Sequence, residues 1–138
     1  MLAIGKSAKI VKEIKDIDVC AFAELTGDRN PIHTDDDSAK KSVFGRRIAH
    51  GLYVGSMIGE VIGTVLPGKD TIYMEQTFRF LKPVYIGDVC EANVCVEKAI
   101  KPEKGIYKLD TKVFNQNGEM VIAGYAVVKY TENDNNKW

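Results

Sequence analysis

From Asp16 onward the spacing of apolar positions along this chain changes once, near residue 71. Before that point they recur at helical spacing, and after it they alternate. Asp16 to Leu25 reads as a short helix with Val19, Phe22, Ala23 and Leu25 on an approximate stripe. Asp16 or Asp18 can cap its start, and Gly27 ends it. A polar segment, Asp28 to Arg47, follows. Its middle, Thr34 to Lys41, reads as a second short helix with acids first and lysines last, the order that complements the helix dipole. Gly51 to Val65 is the most apolar stretch and spans about four turns. Gly51, Gly55, Gly59 and Gly63 share one of its faces. Interior glycine costs roughly 1 kcal/mol relative to alanine, so the stripe predicts close approach of another backbone to this helix. Pro67-Gly68 stops it.

From Ile72 onward the period is two. Ile72, Met74, Phe78 and Phe80 alternate with Tyr73, Glu75, Thr77 and Arg79, which predicts one continuous strand. Cys90 to Glu97 and Tyr107 to Val113 repeat the pattern, and Asn115-Gln116-Asn117-Gly118 is a hairpin signal. The last strand, Met120 to Tyr130, is apolar on both faces, as in a strand covered on two sides. Lys9 to Ile14 supplies an early strand. The sum is an α+β layout, one long central helix wrapped by an antiparallel sheet. Residues 1–130 form a single domain in this reading, and 131–138 a polar, frayed tail.

Composition narrows the class without naming a function. The 138 residues are 45% apolar and 28% charged, close to an average globular domain. Nineteen basic residues balance nineteen acidic ones, which disfavours nucleic acid and anionic membrane surfaces as partners. Cys20, Cys90 and Cys95 fit neither a redox pair nor a zinc knuckle, so free, mostly buried thiols in a reducing compartment are expected. The segment Leu52 to Leu66 contains Glu60 and is shorter than the roughly 20 residues of a spanning helix. Met1 to Lys6 lacks the apolar run of a signal peptide, so a cytoplasmic protein is expected.

Chemistry concentrates between the first helix and the long one. Asp28-Arg29-Asn30-Pro31-Ile32-His33 offers a carboxylate, a carboxamide and an imidazole within six residues, stiffened by Pro31. Such a segment can hold an acid and a base at fixed separation; it can equally be an Asx-turn ending in a surface histidine. Ile48-Ala49-His50-Gly51 opens the long helix, whose first N–H groups point outward and can stabilise a developing oxyanion. His50 is the weaker catalytic candidate of the two histidines and can serve simply as a cap. Asp35-Asp36-Asp37 suggests a metal site, but consecutive acids on a helix cannot all face one ion, so solvated helix-start residues are expected there. Lys40, Lys41, Arg46 and Arg47 form a candidate basic patch for phosphates or an acidic carrier.

Together these residues resemble the MaoC-like hydratase family, and within it the (R)-specific enoyl-CoA hydratases. The resemblance rests on Asp28-x-Asn30-Pro31-x-His33 and Ile48-Ala49-His50-Gly51. It extends through Leu66-Pro67-Gly68, Phe78-x-Phe80, Pro83-Val84-x-x-Gly87-Asp88 and Gly124-x-Ala126-Val127-Val128. Arg47 stands where many relatives have proline. The resemblance implies a hot-dog fold, a homodimer or higher homo-oligomer, and an acyl tunnel near the subunit boundary. It implies that Asp28 and His33 are catalytic, activating water for syn addition to a trans-2-enoyl-CoA, or to the same group on an acyl carrier protein, giving an (R)-3-hydroxyacyl thioester. The Gly51 N–H would meet the thioester oxygen, and Asn30 would orient Asp28 or the substrate. No metal or other cofactor is called for. A hot-dog acyl-CoA thioesterase and a non-catalytic acyl-thioester-binding module are the competing readings.

Overall fold

The computed structural model describes residues 1–132; the expected frayed tail lies almost wholly outside the described residues. β1 (Ser7–Glu13) leads into α1 (Asp16–Thr26), then α2 (Pro31–Thr34), α3 (Asp36–Lys40) and the long α4 (Gly51–Thr64). β2 (Ile72–Gln76), β3 (Arg79–Phe80), β4 (Val89–Lys101), β5 (Ile106–Phe114) and β6 (Met120–Lys129) complete the order. The strands form one antiparallel sheet, β1-β4-β5-β6-β2, with β3 also paired to β6.

α4 packs against β4, β5 and β1, so the sheet curves round a single helix as its apolar density requires. Val54, Met57, Ile58, Val61 and Ile62 of α4 are buried together with Val94, Val96, Leu109, Val113 and Val128 of the sheet. The inward positions of β5 alternate strictly along its length. β6 departs from expectation: Val121, Ile122, Ala126 and Val128 are buried, while Ala123, Gly124, Tyr125 and Val127 are only half-buried.

Four local expectations need correction. The cap of α1 is Lys15, with Asp16 and Asp18 inside the first turn, and Leu25 is exposed while Val19 and Ala23 are buried. The helix expected over Thr34 to Lys41 divides into α2 and α3 at Asp35, whose extended backbone breaks the run. The strand expected from Ile72 to Phe80 also divides. A bulge falls between Tyr73 and Glu75, and the Thr77 carbonyl turns against Gly124, where an added Cβ would lie 1.9 Å from its oxygen. Finally, the glycine stripe does not receive a backbone. Gly51 and Gly55 receive the rings of Phe80 and Phe78, 2.6 and 2.8 Å from an added Cβ, whereas Gly59 and Gly63 face open space.

Candidate active site

The site forms where the polar segment crosses the start of α4. Gly27, at φ 83°, ends α1 in the left-handed conformation that glycine adopts without strain, and the chain turns sharply into Asp28. Asn30 then caps α2: its side-chain oxygen accepts from the Ile32 N–H at 3.3 Å, and Pro31 occupies the first helical position. One turn later His33 is delivered inward, 7% exposed. The segment returns to the same place. His33 Nδ1 lies 2.7 Å from the Ile48 carbonyl, and the Ile48 N–H donates to the Ile32 carbonyl at 3.2 Å. A carbonyl only accepts, so His33 carries its hydrogen on Nδ1 and keeps the Nε2 lone pair free.

Asp28, His33, His50 and Gly51 line one cavity of about 430 Å³, within the size range of small-ligand sites. Its other walls are largely apolar, including Phe44, Ile48, Leu52, Phe80 and Ile122. Asp28, His33 and His50 each offer a ligand atom, all within 4.8 Å of one another. Two hydrogen bonds of about 2.8 Å meeting at one water span a gap of that size. The two imidazoles are stacked, centroids 3.9 Å apart and planes at 29°. Stacked rings present their lone pairs side by side rather than toward one point, a poor arrangement for chelating an ion. Asp35, Asp36 and Asp37 are all exposed at the start of α3.

Burial pushes the His33 imidazole below the ordinary histidine value. The bond to the Ile48 carbonyl and the nearby Asp28 carboxylate oppose that shift, and His50 and Arg47 reinforce it. The ring is thereby held neutral, as a base must be. Gly51 is the first residue of α4, where helical N–H groups have no intrahelical acceptor and the helix dipole adds positive potential. The glycine has a second reason that its sequence context did not show: the Phe80 ring occupies the space a side chain would need.

The candidates divide accordingly. Asp28, His33 and Gly51 come together. Asn30 does not line the cavity; its side chain caps α2, and its backbone N–H donates to Asp28 Oδ1 at 3.4 Å. Arg47 leaves the expected basic patch altogether. Its guanidinium turns inward, with Nε donating to the His33 carbonyl at 2.7 Å and Nη2 to Asp16 Oδ1 at 2.6 Å. That guanidinium holds the Asp16 carboxyl below its usual range. Arg46 stays exposed and stacks on Tyr85, 3.9 Å from the ring centroid, while Lys40 and Lys41 are exposed around the end of α3.

A family model described as MaoC like domain matches residues 3–117, which include Asp28, His33, His50 and Gly51. The chain belongs to the MaoC-like family. It is 44% identical over 128 residues to a 3-hydroxybutyryl-CoA dehydratase from Methylorubrum extorquens, covering 93% of this chain and 80% of that protein. It is 39% identical over 128 residues to an (R)-specific enoyl-CoA hydratase from Aeromonas caviae, covering 93% and 95% of the two chains. The solved structure of an (R)-hydratase from A. caviae superposes with a TM-score of 0.91 at 38% identity, over 94% of this chain and 98% of that one. The fold of this MaoC-like chain is therefore the hot-dog fold, its long α4 the filling and its antiparallel sheet the wrap.

Proposed function

We propose that this protein is an (R)-specific enoyl-CoA hydratase, equally a 3-hydroxyacyl-CoA dehydratase in reverse. The observation that carries the reading is the placement of the Asp28 carboxylate and the His33 imidazole within 4.8 Å, across one cavity from the start of α4. The relatives named above support it. A trans-2-enoyl thioester enters with its carbonyl oxygen toward the Gly51 N–H. Water sits between Asp28 and His33. Its oxygen bonds to C3 as His33 Nε2 takes one of its protons, and charge moves through C2 onto the thioester oxygen, where the helix start stabilises it. The dyad then returns a proton to C2. Hydrogen and hydroxyl arrive on one face, and the enzyme ends in its starting protonation state. Asn30 acts by holding Asp28 through its backbone N–H, with its side chain stiffening the turn.

The assembly belongs to the same reading. β2 pairs only with β6, leaving its other edge unpaired among the described residues. Tyr73 and Met74 on that strand, with Phe80, Leu81 and Leu52 nearby at the cavity mouth, are large exposed apolar side chains. A second copy of the chain is the occupant we assign to that face, giving a homodimer. Among the described residues no helix is long and apolar enough to cross a membrane. A cytoplasmic location remains part of the proposal.

The test is crotonyl-CoA hydration by Asp28→Asn and His33→Gln. Each loses activity by at least about 10²-fold with the fold intact by circular dichroism; near-wild-type turnover in either sinks the mechanism. Thiol release measured alongside distinguishes a thioesterase, since hydration consumes the enoyl chromophore and frees no CoA. Turnover on a carrier-protein-linked substrate, run in parallel, decides between CoA and carrier.

A further inference from the structure

His50 has no part in the reaction as written above, yet it is the most deeply buried polar side chain of the cavity. It is 2% exposed. Its Nε2 lies 2.9 Å from the Asp28 carbonyl, which can only accept, so the hydrogen sits on Nε2 and the lone pair on Nδ1. That Nδ1 is sealed from solvent and, among the described residues, has no hydrogen-bond partner. One face of the ring stacks on His33, and Phe22 packs against it at 4.8 Å.

An unsatisfied buried acceptor is a standing cost. Phenylalanine would fill the same space, keep the contacts with Phe22 and His33, and remove the orphaned acceptor. What it would lack is the donor to the Asp28 carbonyl, so the benefit that offsets the orphaned Nδ1 lies in that bond. Resting on the hydratase reading, we propose that His50 is a positioning residue. Its Nε2–H fixes the Asp28 peptide while its ring backs the His33 imidazole, so that one side chain sets the separation of the two reacting groups. His50 is also the cap of α4 and immediately precedes Gly51, so the same residue ties the dyad to the oxyanion donor.

The experiment compares wild type, His50→Phe and His50→Gln on crotonyl-CoA. His50→Phe keeps the ring and loses the donor; its kcat falls about 10²-fold, the effect of misplacing a reacting group by about 1 Å. KM stays within about threefold, because substrate contacts are untouched. His50→Gln has an amide N–H that reaches toward the same carbonyl and recovers most of that kcat. Retention of kcat within about twofold by His50→Phe overturns the proposal, and so does equal loss in both variants, which is the signature of packing alone. Imidazole nitrogen shifts in the wild type give a readout independent of turnover and of variant folding. They show hydrogen on Nε2 of His50 and on Nδ1 of His33; the opposite tautomer at His50 overturns the assignment. Wild type without hydratase activity but with these tautomers defeats the proposed function instead, and the Arg29 amide shift in His50→Phe then decides whether His50 fixes the Asp28 peptide.

Discussion

Replacing Arg47 by methionine tests how the dyad is held in place. Arg47 packs inward, its side chain only 11% exposed. Methionine preserves most of the stem packing and removes three bonds, one to the His33 carbonyl, one to Asp16 and a weak, exposed one to Cys20 Sγ. A hydrogen bond involving a charged group contributes about 1.5–3 kcal/mol, which applies to the half-buried carbonyl. The Asp16 side chain is 60% exposed and re-solvates easily, so its bond counts at the surface value, below about 1 kcal/mol. Asp36, 3.8 Å away and 83% exposed, adds little. The loss is therefore about 2–3 kcal/mol, or a fall of about 6–12 °C in Tm for a domain of this length. Because α2 loses one of its three ties around His33, kcat falls with it, while KM moves less. Arg47→Lys supplies a point charge that reaches one acceptor rather than both and recovers about half the loss. The sign with pH is fixed by Asp16. Its carboxyl is held low in the folded protein, so the Asp16 contribution is complete above about pH 4 and vanishes as pH falls through the folded value. The gap between wild type and variant then narrows in strong acid. Thermal unfolding and crotonyl-CoA kinetics provide the assay. An Arg47→Met variant melting within about 2 °C of wild type would refute the argument, as would an Arg47→Lys variant indistinguishable from the native protein.

Three further outcomes are expected. Gly124→Ala forces a methyl against the Thr77 carbonyl and costs about 3 kcal/mol or more, lowering Tm by about 10 °C; Gly59→Ala, whose added methyl meets open space, is the control, and equal melting of the two would contradict the close approach. The acid limb of kcat/KM lies below about pH 6.5, because burial depresses the His33 imidazole. The same depression means that His33 weakens the fold as pH drops below the unfolded histidine value, where the unfolded chain takes up the proton first; an acid limb above that value would reverse the assignment. In the native protein a disulfide reagent labels exposed Cys20 and spares Cys90, whose thiol burial pushes up to about 12, as mass spectrometry of the labelled peptides will show.

Much of the architecture was legible because it rests on periodicity. Burial on one face leaves a spacing in α4 and β5 that survives without coordinates. What escaped depends on contacts between residues far apart in the chain. The division of β2 from β3 is decided by Thr77 meeting Gly124, and no pattern within residues 72–80 announces it. Exposure of Leu25 on an otherwise ordinary stripe, and of Cys20 among thiols expected to be mostly buried, likewise depends on what the rest of the chain covers. At the site, Asp28, His33 and Gly51 stood out because residue type and helix-start position carry chemical meaning. Arg47 and His50 did not. A cation beside lysines reads as surface, and nothing local shows that it folds back onto Asp16. A histidine before a helix reads as a cap, and its bond to Asp28 spans twenty-two positions.

The bonds joining Ile32 and His33 to Arg47 and Ile48 pinch the polar segment at its neck. Residues 34–46 therefore form an excursion that starts and ends at one point and rests on the scaffold through buried Ala39 and the Tyr85 hydroxyl, which donates to the Phe44 carbonyl. Changing the length of such an excursion is thermodynamically cheap, since doubling a closed loop costs only about 0.6 kcal/mol. Phe44 sits on it and reaches the cavity wall, whereas both members of the dyad lie on the fixed side of the pinch. The stretch is thus separable from the dyad. Exchanging it would reshape the acyl compartment while the chemistry stays where it is, and that makes it the first place to graft a different chain-length preference.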